Sequence, residues 1–269
     1  SPDGRRIITA SDDGTARMWD ANDGRMIAEL KGHSDDVRGA TYSPDGRRIV
    51  TASWDNTARV WEADSGRLVA ELKGHGDHVH VATYSPDSRS VVTASEDSTA
   101  RIWDADSGRL VTELKGYGGP VYSATYSPDG RRIVTVHADS TARVWDADSG
   151  RLVAELTGHG GHVNSATYSP DSRCIVTASQ DNTARVWKAD SGHLVAELKE
   201  HGDLVYRATY SPDGRRIVTA SKDNTARVWD ANSGRLLAVL KGHSDHVYDA
   251  AYSPDGRRIV TASRDKTAR

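Results

Sequence analysis

Ser-Pro-Asp begins at Ser1, Ser43, Ser85, Ser127, Ser169, Ser211 and Ser253, every interval being 42 residues. Tryptophan keeps the same spacing at Trp19, Trp61, Trp103, Trp145, Trp187 and Trp229, and only Trp54 lies off the grid. A fixed period of this length predicts stacked copies of one small unit, each unable to bury its apolar faces alone. No linker interrupts the copies. The expectation is one domain over residues 1–269, with repeats starting at those serines and a partial one from Ser253.

Within a period the apolar residues alternate with a spacing of two, so the elements are strands. Val37-Arg-Gly-Ala-Thr-Tyr42 is the first run, closed by Ser43-Pro-Asp-Gly46, in which proline pre-sets the turn and Asp-Gly supports positive φ. Arg48–Ser53, Thr57–Trp61 and Arg67–Leu72 follow, separated by Asp55-Asn56 and Asp64-Ser-Gly66. Connections this short make antiparallel neighbours. The first three strands carry alanines such as Ala40, Ala52 and Ala58, which suit sheets crowded together by radial stacking, the arrangement of a β-propeller.

Composition narrows the function classes. A formal charge of −3 argues against a polyanion binder. No apolar run reaches the roughly 20 residues that span a bilayer, and no signal peptide opens the chain. The single cysteine, Cys174, forms no intrachain disulfide and suits the reducing cytoplasm. Because the first methionine is Met18, the chain reads as a piece of a longer, multidomain one.

The unit resembles the WD40 repeat. Gly32-His33 precedes Trp61 as Gly-His precedes Trp in that family, and Trp-Asp is literal at Trp19-Asp20, Trp103-Asp104, Trp145-Asp146 and Trp229-Asp230. It departs to Trp61-Glu62 and Trp187-Lys188, past the strand. The resemblance implies an all-β WD40 propeller of four-stranded antiparallel blades, with seven blade positions and incomplete terminal blades. A six-bladed ring is the alternative, in which His243 would complete a set with Thr9, Asp13 and Trp19. It also implies a hydrogen-bonded tetrad in each blade: His33, Thr51, Asp55 and Trp61; His75, Thr93, Asp97 and Trp103; His159, Thr177, Asp181 and Trp187; His201, Thr219, Asp223 and Trp229.

Threonine, histidine and aspartate in one network also look like a nucleophilic triad. A catalytic constellation needs one copy beside one pocket, whereas this one recurs in nearly every blade. The tetrad is therefore read as scaffold, and the chain as a non-enzyme without a cofactor. One set deviates. Tyr117 stands where histidine is expected and Val136-His137-Ala138 precedes Asp139, so His137 or the Tyr117 hydroxyl is a candidate for the imidazole's role, against a blade that is merely weakened.

With the scaffold subtracted, the informative residues are those that differ between copies. Just before the tetrad aspartate stand Asp12, Trp54, Glu96, Ala138, Gln180, Lys222 and Arg264. Three residues after the tetrad histidine come Asp36, His78, Pro120, His162, Leu204 and His246; five after it come Arg38, His80, Tyr122, Asn164, Tyr206 and Tyr248. These offsets resemble the top-face contact positions of WD40 propellers, around the mouth of the central channel. Large side chains with polar tips are also the types that anchor interfaces, against the plainer reading of drift in exposed turns. Trp54 is the strongest single candidate.

The expected function is a protein–protein interaction scaffold or sensor that binds a protein or peptide on that face. Long runs of near-identical repeats resemble the sensor ends of bacterial multidomain regulators. A small-ligand or metal-binding propeller using the His and Tyr cluster is the alternative. His75-Gly-Asp-His78-Val-His80 offers metal ligands, but His75 is engaged in a tetrad and no cysteine or carboxylate cluster is evident to complete the set, so no metal site is assigned. The Arg47-Arg48 pairs sit at the opposite turns beside Asp45, their charge locally offset, and do not argue for nucleic acid.

Overall fold

The computed structural model describes residues 1–116 and 118–269, and every regular element among them is a strand. No helix among them is long and apolar enough to cross a membrane. The second repeat shows how the period becomes structure. Val37–Tyr42, Arg48–Ser53, Thr57–Glu62 and Leu68–Lys73 pair antiparallel in chain order. The Ser43 hydroxyl donates to Asp45 Oδ1 at 2.6 Å and accepts the Arg48 amide at 3.0 Å, while Gly46 closes the turn at φ 72°. The next turn needs the left-handed region at Asn56, φ 69°, a conformation asparagine tolerates better than most residues.

The same four-stranded pattern recurs in the third, fourth, fifth and sixth repeats, giving the blades expected of a WD40 propeller with incomplete terminal positions. Residues Arg6–Ala10, Thr15–Asp20 and Met26–Lys31 make a first sheet of three strands; Val247–Tyr252 and Ile259–Ser263 make a seventh of two. The third strand expected in that last sheet is reduced to one isolated bridge, Ala262 to Ala268. His243 bonds Thr261 and Asp265 of its own repeat at 2.8 Å each. The six-bladed alternative, which needed His243 beside Thr9, Asp13 and Trp19, is not what forms.

By its contacts the chain divides into two compact units. The first comprises Ser1–Tyr126, Gly130–Thr135 and Asp146–Arg151; the second comprises Ser127–Asp129, Val136–Trp145 and Leu152–Arg269. Inside each, neighbouring sheets pack face to face, as one copy's inability to hide both faces requires. In the first unit Val50, Ala58, Val60 and Leu72 of one sheet meet Val79, Tyr84, Val91 and Trp103 of the next. In the second, Val176, Val186 and Leu198 meet Val205, Ile217 and Trp229 in the same way. Small alanines between the large residues allow the sheets to approach closely.

The charge offset expected at these turns has two sources. The Asp45 carboxylate accepts the Ser43 hydroxyl and the Arg47 amide and lies in the field of both arginines, while Arg48 makes its ion pair further along the chain. Arg48 reaches the following repeat, donating to the Ala105 carbonyl at 3.0 Å and pairing with Asp106. Arg6 does likewise with Ala63, at 2.8 Å, and Asp64, at 2.9 Å. At the third repeat the position holds Ser90, which has no charge to pair across the junction.

Candidate functional site

Two layers of side chains occupy the end of each repeat where the tetrads were expected, one buried and one at the rim. In the buried layer, His33 Nδ1 lies 2.8 Å from Asp55 Oδ2 and its Nε2 lies 2.7 Å from Thr51 Oγ1, which accepts Trp61 Nε1–H at 2.9 Å. Three further sets match it: His75 with Thr93, Asp97 and Trp103; His159 with Thr177, Asp181 and Trp187; His201 with Thr219, Asp223 and Trp229. Because the carboxylate only accepts, Nδ1 carries the proton, and the threonine hydroxyl donates to Nε2. Burial lowers the pKa of His33, His159 and His201, with the carboxylate opposing in part, so these rings are neutral. Desolvation raises the Asp181 carboxyl, but bonds from Thr183, His159 and the Gly160 amide outweigh it and bring it down to about 2. Thr51, Thr93, Thr177 and Thr219 are wholly buried. A hydroxyl so enclosed meets no substrate, and the arrangement is structural.

Where the histidine is missing, arginine takes its place. Every repeat has an arginine four residues after the tetrad aspartate. With an imidazole present, Arg59 and Arg185 turn to a glutamate on the neighbouring strand, Glu71 and Glu197, both at 2.9 Å. Arg101 pairs with Glu113 at 3.1 Å and stays 3.8 Å from Asp97. In the first sheet Arg17 pairs with Asp13 at 2.6 Å as well as with Glu29 at 3.0 Å. In the deviant set Arg143 donates to Asp139 at 2.7 Å and to Glu155 at 2.9 Å. Arg143 is thus a donor to Asp139 that the expectation of His137 or Tyr117 did not include; Tyr117 itself lies outside the described residues. His137 is buried, and burial, reinforced by the Arg143 charge, lowers its pKa to about 4.

The rim layer is built by two loops that hydrogen-bond to each other. Trp54 N donates to Asp36 O at 3.0 Å, Glu96 N to His78 O at 2.9 Å, Gln180 N to His162 O at 2.8 Å, Lys222 N to Leu204 O at 3.0 Å and Arg264 N to His246 O at 2.8 Å. The three offsets that vary between copies therefore meet at one end of each sheet. A second device, invisible to a count of offsets, aims the side chains. Arg38, His80, Asn164, Tyr206 and Tyr248 are the extra residues of β-bulges in their first strands. A bulge breaks the alternation of the pleat and re-aims the extra side chain.

In the first unit the rim residues join end to end. Asp12 pairs with Arg38 at 3.0 Å, and Arg38 stacks on Trp54 with its guanidinium carbon 4.5 Å from the ring centre. Trp54 packs on His78 at 5.2 Å between centroids, and its indole N–H has no acceptor among the described residues. His80 Nε2 lies 3.1 Å from Glu96 Oε1, though out of line for a hydrogen bond, and its ring packs on Tyr122 at 5.5 Å. Potential ligand atoms of Asp77, His78 and Glu96 fall within 4.8 Å of one another. The sequence reading found no carboxylate cluster to complete a set with these histidines. Asp77 adjoins His78 in the chain, and the Val79–Ser95 register places Glu96 across from them.

The second unit's rim is organised differently. Tyr206 packs on Tyr248 at 4.9 Å and on His246 at 6.4 Å, its hydroxyl 3.5 Å from His246 Nδ1. Asn164 donates to the Val205 carbonyl at 2.8 Å and accepts Gln180 Nε2 at 3.5 Å. Lys222 pairs with Asp203 at 3.4 Å and Arg264 with Asp245 at 3.8 Å.

Seven in-phase sheets, repeated Trp–Thr–His–Asp networks and a variable rim define a repeat propeller. The WD40 family, described as WD domain, G-beta repeat, matches residues 1–20, 24–62, 66–104, 108–146, 150–188, 192–230 and 234–269, and the chain belongs to it. A stretch of 37 residues is 54% identical to human WD repeat-containing protein 86, covering 14% of this chain and 10% of that protein's length.

Proposed function

We propose that residues 1–269 act as a single non-catalytic propeller, in the reducing cytoplasm, that docks a protein or peptide partner on its rim layer. The observation that carries this reading is the division of labour within each repeat. The buried tetrads are near-copies of one another, while the residues above them differ and five of them project from β-bulges. A rigid scaffold with individually varied aromatic, charged and amide side chains presents a surface addressed to something outside itself. Trp54 and Tyr206 are the anchors. Each is stacked in place by its neighbours, so little side-chain entropy remains to be lost on binding.

Affinity capture in a chelating buffer tests this. The immobilised parent chain is compared with the Trp54→Ala plus Tyr206→Ala double variant, and with an Arg47→Ala control at the opposite turns. Partner recovery should drop for the double variant alone. Equal recovery from all three would remove the rim from consideration.

A further inference from the structure

We infer that the rim of the third repeat is a binding site for a divalent transition metal of the zinc, cobalt or nickel class, with Asp77, His78 and Glu96 as its ligands. The site stands independently of partner docking.

The first argument is the orientation of His78. Its Nδ1 lies 2.7 Å from the Trp54 backbone carbonyl, and a carbonyl can only accept, so Nδ1 carries a proton and Nε2 is the nitrogen left to ligate a metal. A metal-ligating histidine is held in this way, its second nitrogen donating to a carbonyl or carboxylate that sets the tautomer and ring direction. The Trp54 ring packed on the imidazole restrains it further. Nε2 faces Asp77, with Oδ1 at 3.9 Å, and the carboxylate oxygen of Glu96 lies within the same 4.8 Å cluster. Ligand atoms about 2.0–2.2 Å from a tetrahedral zinc stand roughly 3.4 Å apart, so side-chain rotation of about an ångström closes the set.

The second argument is internal comparison, since the same backbone recurs with other residues. In the sixth repeat the residue facing Asp203 is Lys222, and in the seventh the residue facing Asp245 is Arg264; each aspartate has its cation. At the same place the third repeat has Glu96, a second carboxylate. The nearby Arg38 is drawn to Asp12 and stacked on Trp54. Two carboxylates and an imidazole nitrogen brought together in this way form a donor set for a cation from outside, and that set suits zinc, cobalt or nickel better than magnesium or calcium.

The third argument is that the backbone is already in place. Ser95 Oγ donates to the Asp77 carbonyl at 2.9 Å, Glu96 N to the His78 carbonyl at 2.9 Å, and Gly76 N to Asp97 Oδ2 at 3.0 Å. Asp77 Oδ1 accepts the His78 amide at 2.8 Å, which holds that oxygen on the side of His78 Nε2. His80 sits against Glu96 and serves as a positioning residue for that carboxylate. Three protein ligands leave a fourth position for water or for an incoming donor.

Calorimetric titration of the full chain with zinc chloride, paired with cobalt(II) absorption spectra, decides the matter. One ion per chain should bind in the micromolar range. Glu96→Gln and His78→Ala should each weaken it by about tenfold or more, while His162→Ala leaves it unchanged. Circular dichroism checks that each variant is folded, and the isosteric Glu96→Gln keeps the test valid if His78→Ala disturbs Trp54. Absence of binding by the parent, or equal binding by both variants, overturns the site. Partner capture in chelating buffer is unaffected by that outcome, so the two readings fail separately.

Discussion

Asp139 and Asp181 occupy the same place in successive repeats of the second unit, and different groups hold them. Asp181 accepts from a neutral imidazole that is itself bonded to a buried threonine; Asp139 accepts from a guanidinium that also reaches Glu155. The comparison shows that the repeat needs a donor at the carboxylate rather than a histidine as such. It also shows that each copy carries a second donor four residues further on. Arg185 turns to Glu197 while His159 is in place, whereas Arg143 is committed to the aspartate. Arg227 lies between these extremes. It faces Val239 where other repeats have glutamate, and it stands 3.4 Å from Asp223 although His201 is present.

The strongest way to break the comparison is to remove the hub of the imidazole-held set. Thr177→Val strips the partner from both Trp187 Nε1 and His159 Nε2 with little change of shape. Leaving both unpaired should cost about 3 kcal/mol, read as a lower urea midpoint. A loss below about 1 kcal/mol would mean that water or a neighbour replaces the hydroxyl, and that the network is not the fastening it is taken to be.

A smaller effect separates the two arginines. Arg143→Met leaves Asp139, partly exposed, without its cation and should destabilise by about 2 kcal/mol, below the figure for a fully buried pair. Arg185→Met removes only a strand-to-strand pair with Glu197 and should cost less than about 1 kcal/mol. Equal losses would show that the guanidinium plays the same part in both repeats.

The gentlest test uses pH. The folded-state pKa of His137 is lowered from 6.5 to about 4. Between those values the unfolded chain holds a proton that the folded chain does not. Stability attributable to this residue is therefore complete above pH 6.5, falls as pH drops through the window, and falls no further below about pH 4. The slope it contributes is at most about 1.4 kcal/mol per pH unit. His137→Asn should flatten the stability profile between pH 4 and 6.5; an unchanged profile would mean that the ring is not neutral in the folded chain.

Much of this was legible in the residues themselves. The period, the strands, the four full tetrads and the grouping of variable positions all follow from offsets within one repeat, because the geometry of a copy is nearly the same wherever it occurs. What offsets do not show is competition between partners. Whether an arginine turns to Asp139 or away from Asp181 depends on whether an imidazole has already taken the carboxylate. Asp77 and Glu96 are 19 positions apart in sequence and became neighbours only through the pairing of Val79 with Ser95. The bulges at Arg38 and His80 were hidden for another reason: an extra residue in a strand leaves no mark on a strict repeat when the copies share it.

The reach of Arg6 and Arg48 into the following repeat bears on how the chain comes apart. In a linear array the strength of each junction decides how far an opening fluctuation spreads before it is stopped. Arg6 and Arg48 each fasten one copy to the next through a charge-assisted bond to a backbone carbonyl and an ion pair. Ser90 carries no charge and can form neither an ion pair nor a charge-assisted bond there. Copies that are almost the same in sequence are thus joined unequally, and cooperativity along the array is stronger across the first two junctions than across the third.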